Sequence, residues 1–403
     1  MHHPPIEGHA VWTDDQSQML DEAADLIVSL GPDLLATTVA QIADSLPNQA
    51  LDQVTAYARE LILCTALQHL NSDPVRPRVM RNLFPGARAG LDNPDTIYRF
   101  IPVSADSSYV IRGRRGSSTD VSFQLFDAWQ GDGVLGEQLG FLSGEFLQVD
   151  DAGTFELTLD ATPADGRANH VQLPPDSFQL TVRDTLVDWR LQPMHLSVER
   201  LDGADSPAPR PTLSLAERIR RQARFWPPIV GAFCGIAPNS VGAPNPTQGG
   251  LASQYSAPGH YLLDDEDALV IEFGAGGAQY AGIQLGTRQF ISIDYWDRLT
   301  SLNLSQLHPE PDGRFRVVIS RRDPGVLNWL DPGPHAEGII FMRWQAMTGP
   351  LASADHPTAL VRPVGQVGSM AGADAGCDQA RRRDQLEVRA AALASRADTA
   401  PTS

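Results

Sequence analysis

Apolar positions recur at helical spacing through the first seventy residues. Met19, Leu20, Ala23, Ile27 and Leu30 mark one helix, which Thr13, Asp14 and Asp15 start with acids facing the positive N-terminal dipole. Gly31-Pro32 breaks it. A second piece runs from Leu34 to Leu46 and a third from about Leu51 to Leu70, with Pro74 and Pro77 closing the region. From about residue 97 the period shortens to two. SYVIRGRRG (108–116), VSFQLFDAW (121–129), TFELTLD (154–160), SFQLTVRD (177–184) and HLSVERLDG (195–203) are short, β-rich and bounded by Gly, Pro or Asp, which predicts strands. Residues 204–213 form a Pro/Ala/Asp linker. Helical spacing returns over 213–226, and a Pro/Gly/Asn-rich loop fills 236–259. Strand patterns resume at ALVIEFG (268–274), YAGIQLG (280–286), FISIDYW (290–296), RFRVVIS (314–320) and GIIFMRW (338–344). The Ala/Arg/Asp-rich last forty residues predict a mobile tail with at most one surface helix near 378–395.

The two strand blocks resemble each other. ADSSYVI (105–111) has a counterpart in EDALVI (266–271), and DDAGTFELTLD (150–160) in EPDGRFRVVIS (310–320). Gly153 maps to Gly313, Phe155 to Phe315 and Arg183 to Arg343, all at an offset of 160. A shared offset across three separate segments points to an internal duplication. The expected fold is mainly β with appended helices (α+β). Two tandem antiparallel β units of sandwich or jelly-roll type follow a helical N-terminal region. The expected divisions are 1–80 (helical), 90–203 (first β unit), 204–260 (linker helix and loop), 261–363 (second β unit) and 364–403 (tail).

Composition narrows the function. The chain has 403 residues, 42% apolar and 20% charged, as expected of a globular protein with real cores. No apolar run approaches the ~18 residues of a membrane span, and no basic region followed by an apolar stretch marks a secretory signal. The net charge of −18 repels phosphate backbones, so nucleic acid is not an expected partner. Three scattered cysteines without a CxxC suggest thiols in a reducing cytoplasm. The 31 basic residues are all Arg. Without lysine, Schiff-base chemistry, pyridoxal phosphate and a Walker A loop are excluded. There is no GxSxG, HExxH, or GxGxxG after a strand.

RRDPGVLNWLDPGPHAEG (321–338) holds the densest polar chemistry. Asp331 and His335 could form an acid–base pair, and Arg322 with Asn328 could clamp a carboxylate or carbonyl. Asp331, His335 and Glu337 could instead bind a metal, although no HxH pattern supports that. The plain alternative is that Asp323 and Asp331 cap turns before Pro, Arg322 pairs with Asp323, and Trp329 closes a core. GLDNPDTIYRF (90–100) offers Asn93, Asp95 and Tyr98, either as a polar cluster at the mouth of a β unit or as an Asx turn begun by Asn-Pro. In FISIDYWDRLTSLNLSQ (290–306), Tyr295 and Trp296 point to opposite faces of a strand, one of them core and the other, with Asn303, lining a pocket. DDED (264–267) reads as a turn before a strand or as a magnesium site, and the RRR run (381–383) as a solvated face.

NPDTIY (93–98) followed by VSFQLFDAW (121–129) resembles the domain of unknown function numbered twelve-fifty-four. IQLGTRQFISIDYWDRLTSLNLSQ and then DGRF, RRDPG, NWLD and a final Arg resemble domain twelve-fourteen, the stronger match. Together the two cover about residues 90–345. The resemblance implies an all-β double unit with appended helices in a bacterial protein, and it implies no reaction.

The expected activity is acid–base catalysis without a cofactor or metal on a mid-sized organic substrate with apolar parts. The site would lie in the second β unit or in the cleft between units, where loops 92–98, 295–303 and 322–337 converge. His335 would move protons, Asp331 would orient it, and Arg322 with Asn328 would hold developing negative charge. Asn93, Asp95, Tyr98, Tyr295, Trp296, Asn303 and Trp329 would contact substrate. A non-catalytic binding or assembly protein is the alternative. The expected partner is a small molecule, without a membrane, and a homo-oligomer is compatible with the sequence.

Overall fold

The computed structural model describes residues 14–46, 49–202, 213–233, 236–247, 251, 254–368 and 375–397. The Thr13 cap, Cys234 and nearly all of the 204–213 linker lie outside the described residues. Three helices open the chain: α1 (Asp14–Ser29), α2 (Leu34–Ser45) and α3 (Leu51–Leu70). The break at Gly31 has φ +92°, a left-handed value that glycine adopts without strain. Eight strands follow: β1 (Thr96–Pro102), β2 (Tyr109–Arg114), β3 (Asp120–Phe126), β4 (Gln138–Ser143), β5 (Thr154–Asp160), β6 (His170–Gln172), β7 (Gln179–Thr185) and β8 (His195–Arg200). They form two sheets, β1-β7-β3-β4 and β6-β5-β2-β8, around one apolar cluster that includes Tyr109, Phe123, Leu157 and Val182.

Helix α4 (Leu215–Phe233) then leads into the second half. Its strands are β9 (Ser240–Val241), β10 (Asn245–Pro246), β11 (Tyr255–Leu262), β12 (Asp267–Phe273), β13 (Tyr280–Gly286), β14 (Ser301–Asn303), β15 (Phe315–Ser320), β16 (Trp329–Leu330), β17 (Glu337–Gln345) and β18 (Thr358–Pro363). One sheet runs β10-β11-β17-β13-β14, with β9 on β11, and the other runs β16-β15-β12-β18. Phe273, Ile283, Val317 and Trp344 belong to the cluster between them. A one-turn helix, α5 (Val364–Val367), and a nineteen-residue helix, α6 (Gln379–Ala397), complete an α+β chain that is mainly strand.

The duplication extends to strand register. Asp120 pairs with Thr185 in the first half, and Tyr280 with Gln345 in the second. Tyr109 pairs with Leu159, and Leu269 with Ile319. Every one of these pairs is displaced by 160 residues, so the two halves share hydrogen-bond ladders as well as sequence.

Three expectations differ from the structure. Residues 290–296 form no strand; Ser292 makes only an isolated bridge to Gly286. Side chains take its backbone groups instead. The Asp92 carboxylate accepts from Ser292 N at 3.0 Å, and Arg88 Nη1 donates to Ser292 O at 2.6 Å. The second half also begins earlier than residue 261, because β11 lies within the stretch read as loop and linker. The helix expected near 378–395 is present as α6, but it is packed against the body and not a mobile surface element: Arg382, Arg389 and Arg396 are all buried. Their seven-residue spacing puts them on one seam of the helix. Arg382 bonds Asp323 Oδ2 at 2.9 Å and lies 4.8 Å from the Trp329 ring. The expected solvated face at 381–383 therefore contains an inward anchor, while Arg381 is exposed. No single helix among the described residues is long and apolar enough to cross a membrane.

Candidate functional site

The two halves meet through the outer faces of the β1-β7-β3-β4 sheet and of the six-stranded sheet built on β11, β17 and β13. In β7, Leu180 and Val182 point into the first core, so Gln179, Thr181, Arg183 and Thr185 point outward. An outward polar face normally meets water. Here Gln179, Thr181 and Thr185 are buried, because the other half and the helices cover them. In β17 the inward residues are Ile340, Met342 and Trp344. Outward Ile339 and Phe341 pack on α2, α3 and α4 through Ile42, Leu61 and Trp226. Outward Arg343 and Gln345 stand at the meeting of the halves.

The loop before β1 joins the halves. Asn93 Oδ1 accepts from Asp95 N at 3.1 Å, the Asx turn that Asn-Pro favours, and this turn presents the Asp95 carboxylate inward. Asp95 accepts from Trp189 Nε1 at 2.6 Å, the Tyr280 hydroxyl at 2.7 Å and Asn303 Nδ2 at 2.8 Å. Asn93 Nδ2 also donates to the Tyr280 hydroxyl at 3.1 Å. Gly282 leaves room for this cluster, since a Cβ there would stand 2.5 Å from the Tyr280 hydroxyl. Burial drives the Tyr280 hydroxyl well above its ordinary pKa, and the neighbouring Asp95 pushes the same way, so the phenol stays protonated. Asp95 is saturated with donors and has the character of a structural hub.

Beside the hub lies a cavity of about 210 Å³. Tyr98, Gln179, Thr181 and Arg183 line it from the first half; Gln254, Phe341, Arg343 and Gln345 line it from the second. The β3–β4 loop contributes Trp129 and α4 contributes Trp226. Glycines shape this wall. A Cβ on Gly131 would stand 2.7 Å from Trp226 Nε1, and one on Gly90 would stand 3.1 Å from the same indole. Gly131 also has φ +99°.

Several of these lining residues carry buried polar atoms without a hydrogen-bond partner: Arg183 Nη1, Trp129 Nε1, Trp226 Nε1, Gln179 Oε1 and Gln345 Oε1. Buried polar atoms are rarely left so, and each costs about 1–3 kcal/mol when unmatched. The two arginines, equivalent in the duplication, differ. Arg343 donates to Gln284 Oε1 and, at 2.8 Å, to Leu91 O. No carboxylate pairs with Arg183 among the described residues; its neighbour is the Tyr98 ring, 5.8 Å from the guanidinium carbon. Burial, and secondarily the charge of Arg343, holds the Arg183 pKa below its usual value. The acid in this wall, Asp92, is turned to Ser292 N and Oγ at 3.0 and 2.9 Å, and burial raises its pKa.

A second groove, about 420 Å³, lies under α6 and includes Trp189 and Arg389. Trp189 Nε1 is satisfied by Asp95, and Arg389 donates through all three guanidinium nitrogens. Those groups ask for no ligand, unlike the central cavity.

Of the residues singled out in the sequence, Asn93 and Tyr98 line the central cavity. Asp95 and Asn303 meet in the hub. Tyr295 packs edge-on to Trp189 at 6.2 Å, and Trp296 lies 4.9 Å from Arg88. Loops 92–98 and 295–303 thus converge; loop 322–337 touches 295–303 through Asp331, whose N donates to Leu299 O at 2.8 Å, but it supplies no lining residue of the cavity and no member of the hub. Asp331 does not orient His335: its Oδ2 takes Arg298 Nη1 at 2.8 Å and its Oδ1 takes Gly333 N at 2.8 Å. His335 has no side-chain hydrogen bond among the described residues, and burial lowers its pKa. Arg322 pairs with Glu266 at the surface and donates to Asp265 O at 2.9 Å; Asp265 itself takes Arg321. Two acids of DDED therefore act as partners of these arginines. Asn328 Nδ2 donates to His308 O and Arg316 O at 2.7 and 3.0 Å, and Trp329 Nε1 to Ser320 O at 2.9 Å. Glu337 takes His260 and Arg288, away from His335. These polar groups mainly satisfy backbone in a loop that contributes only the two-residue strand β16.

Trp129, Trp226, Gln179 and Gln345 carry no site signal in their own segments, and Arg183 and Arg343 stand out in the sequence only as a repeat match. An arginine at the same register in both copies, within a strand whose opposite face is apolar, was the available signal.

One lining sheet also carries a pH-sensitive position. Asp120, at the register occupied by Tyr280 in the other half, is buried with Oδ2 unpartnered, and burial pushes its carboxyl up to about 6. The fold therefore favours its protonated form. That contribution is present below about pH 4 and is lost as pH rises through about 6. Asp120→Asn is expected to add about 1–3 kcal/mol of stability at pH 8 and little at pH 4. Urea unfolding midpoints at the two pH values check this.

No protein-family model matches the chain, and no curated protein matches it. Among solved structures, it is similar to an uncharacterized protein from Burkholderia cenocepacia. That likeness has 25% identity, covers 87% of this chain and 99% of the other, and has a TM-score of 0.73. The VPA0106 protein from Vibrio parahaemolyticus is more distant, at 10% identity and a TM-score of 0.44, with 81% and 99% of the two chains covered.

Proposed function

We propose that this is a cytoplasmic small-molecule-binding protein whose ligand occupies the cavity between the two β units, each of them a sandwich of jelly-roll type. The observation that carries the reading is the set of partnerless buried polar atoms on Arg183, Trp129, Trp226, Gln179 and Gln345, all of them lining residues of one cavity. A rigid scaffold that leaves matched donors and acceptors unfilled is prepared for a guest that supplies the missing partners. The acid–base mechanism built on His335 finds no support in the geometry, since Asp331 is engaged by Arg298. The described thiols are free, and burial pushes Cys64 up to about 12, an inert group suited to a reducing compartment.

A thermal-shift screen of small organic compounds tests the reading. Ligands are expected to raise the Tm of the natural chain. Thr181→Trp, which fills the cavity at the register where the other half has Phe341, is expected to abolish those shifts while leaving the protein folded. Equal shifts in both proteins would sink the proposal.

A further inference from the structure

Resting on that reading, we infer that the ligand is a monocarboxylic acid with a single flat apolar ring, its carboxylate held by Arg183 and its ring packed against Trp129 and Trp226. Arg183 and Arg343 both line the cavity, and the acid beside them, Asp92, is committed to Ser292. Arg343 is already bonded to Gln284 and Leu91. The remaining guanidinium capacity belongs to Arg183, whose Nη1 has no partner. One available guanidinium, with no second free cation beside it among the described residues, suits a single negative charge better than a doubly charged phosphate ester. The indole Nε1 atoms of Trp129 and Trp226 add two more unmatched donors, which also favour an oxygen-bearing guest.

The body of the ligand follows from the rest of the wall. Phe100 lies 5.5 Å from Trp129, and Phe290 is stacked on Trp226 at 6.0 Å with 27° between the planes. Both phenylalanines line the same cavity. Packed aromatic faces recognise a flat apolar guest without rearranging. Volume limits its size. A cavity of about 150 Å³ holds benzene, so 210 Å³ accommodates one ring with a short acid arm. The overall negative charge of the chain does not oppose this, because the anion meets a locally basic wall formed by Arg183 and Arg343.

Titration calorimetry of the full chain with phenylacetate, phenylacetamide and acetate tests the proposal. Phenylacetate is expected to bind, with the amide and acetate each about 10- to 100-fold weaker, the range of a lost charge-assisted bond or a lost ring. Arg183→Gln is expected to remove the preference of acid over amide. The acid–amide comparison in the natural chain stands even if that variant folds poorly. Equal or tighter binding of the amide overturns the carboxylate assignment and leaves the cavity reading intact. If no probe binds, mass spectrometry of material released on denaturing the purified protein separates the two. A released neutral molecule overturns the class alone. The absence of both binding and any released molecule overturns the class and the binding function together.

Discussion

Asp95→Ala is expected to remove about 3–6 kcal/mol of folding stability, enough to unfold many domains of ordinary stability. The substitution deletes the shared acceptor of Trp189 Nε1, the Tyr280 hydroxyl and Asn303 Nδ2. All four residues are buried, so water does not replace the lost acceptor without opening the cluster. The Tyr280 hydroxyl retains Asn93 as a partner, which is why the estimate stays below three full penalties. Asp95→Asn separates charge from connectivity. Its one oxygen still serves two of the donors, and its amide can donate to the Tyr280 hydroxyl, so the loss should be about half that of alanine. Urea unfolding with an unchanged m-value measures both. A loss below about 1 kcal/mol for alanine would show that packing alone joins the halves.

Arg389→Ala is the second large effect, expected at about 2–4 kcal/mol. Arg389 donates to Tyr295 O at 2.9 Å, Ser301 O at 3.0 Å and Ser301 Oγ at 2.7 Å, and lies 4.3 Å from the Trp189 ring. Burial lowers its pKa to about 10, still far above neutrality, so the guanidinium remains charged. Arg389→Lys should recover little, because an ammonium cannot present a planar fork to those acceptors while covering an indole. Hydrogen exchange over residues 379–397 gives the sharper readout. Loss of protection along the whole helix means that α6 docks as a unit through its arginine seam. Loss confined to the neighbourhood of residue 389 would mean that Arg382 and Arg396 hold the ends independently.

The N-terminal helices, most strands and the duplication were legible because their signals are local. Met19 and Ala23 repeat at helical spacing, Leu180 and Val182 alternate with polar neighbours, and Arg183 with Arg343 falls at one fixed offset. The site was least legible where a local signal has two tertiary outcomes. Asn328, Asp331 and Arg322 look like a catalytic cluster, yet each satisfies nearby backbone or a neighbouring charge. Gln179 and Thr181 look like a solvated strand face. Only the arrival of the second half turns that face into an interior wall, and nothing in their own segment records it. Asp95 stands out in the sequence because Asn-Pro forces a turn that must present something; in the structure the turn presents it to Trp189, Tyr280 and Asn303. The tail was misread because its alanine and arginine content resembles that of a solvated helix, while its information lay in the interval between Arg382, Arg389 and Arg396.

The arginine seam of α6 also sets an order of events during synthesis. Arg396 reaches back 302 positions to Pro94 O, and Trp189 is sandwiched under Arg389 and Arg396. These partners emerge from the ribosome long before the helix that covers them. Until α6 emerges, the nascent chain carries Trp189 and Tyr295 on an unsealed face, the kind of surface that recruits chaperones or a second nascent chain. A ribosome-stalled chain ending near residue 375 should therefore be cut by protease around residues 186–191 and 295–300, and release of the full chain should abolish that cutting. Equal resistance in both states would mean that the body seals itself before its last helix arrives.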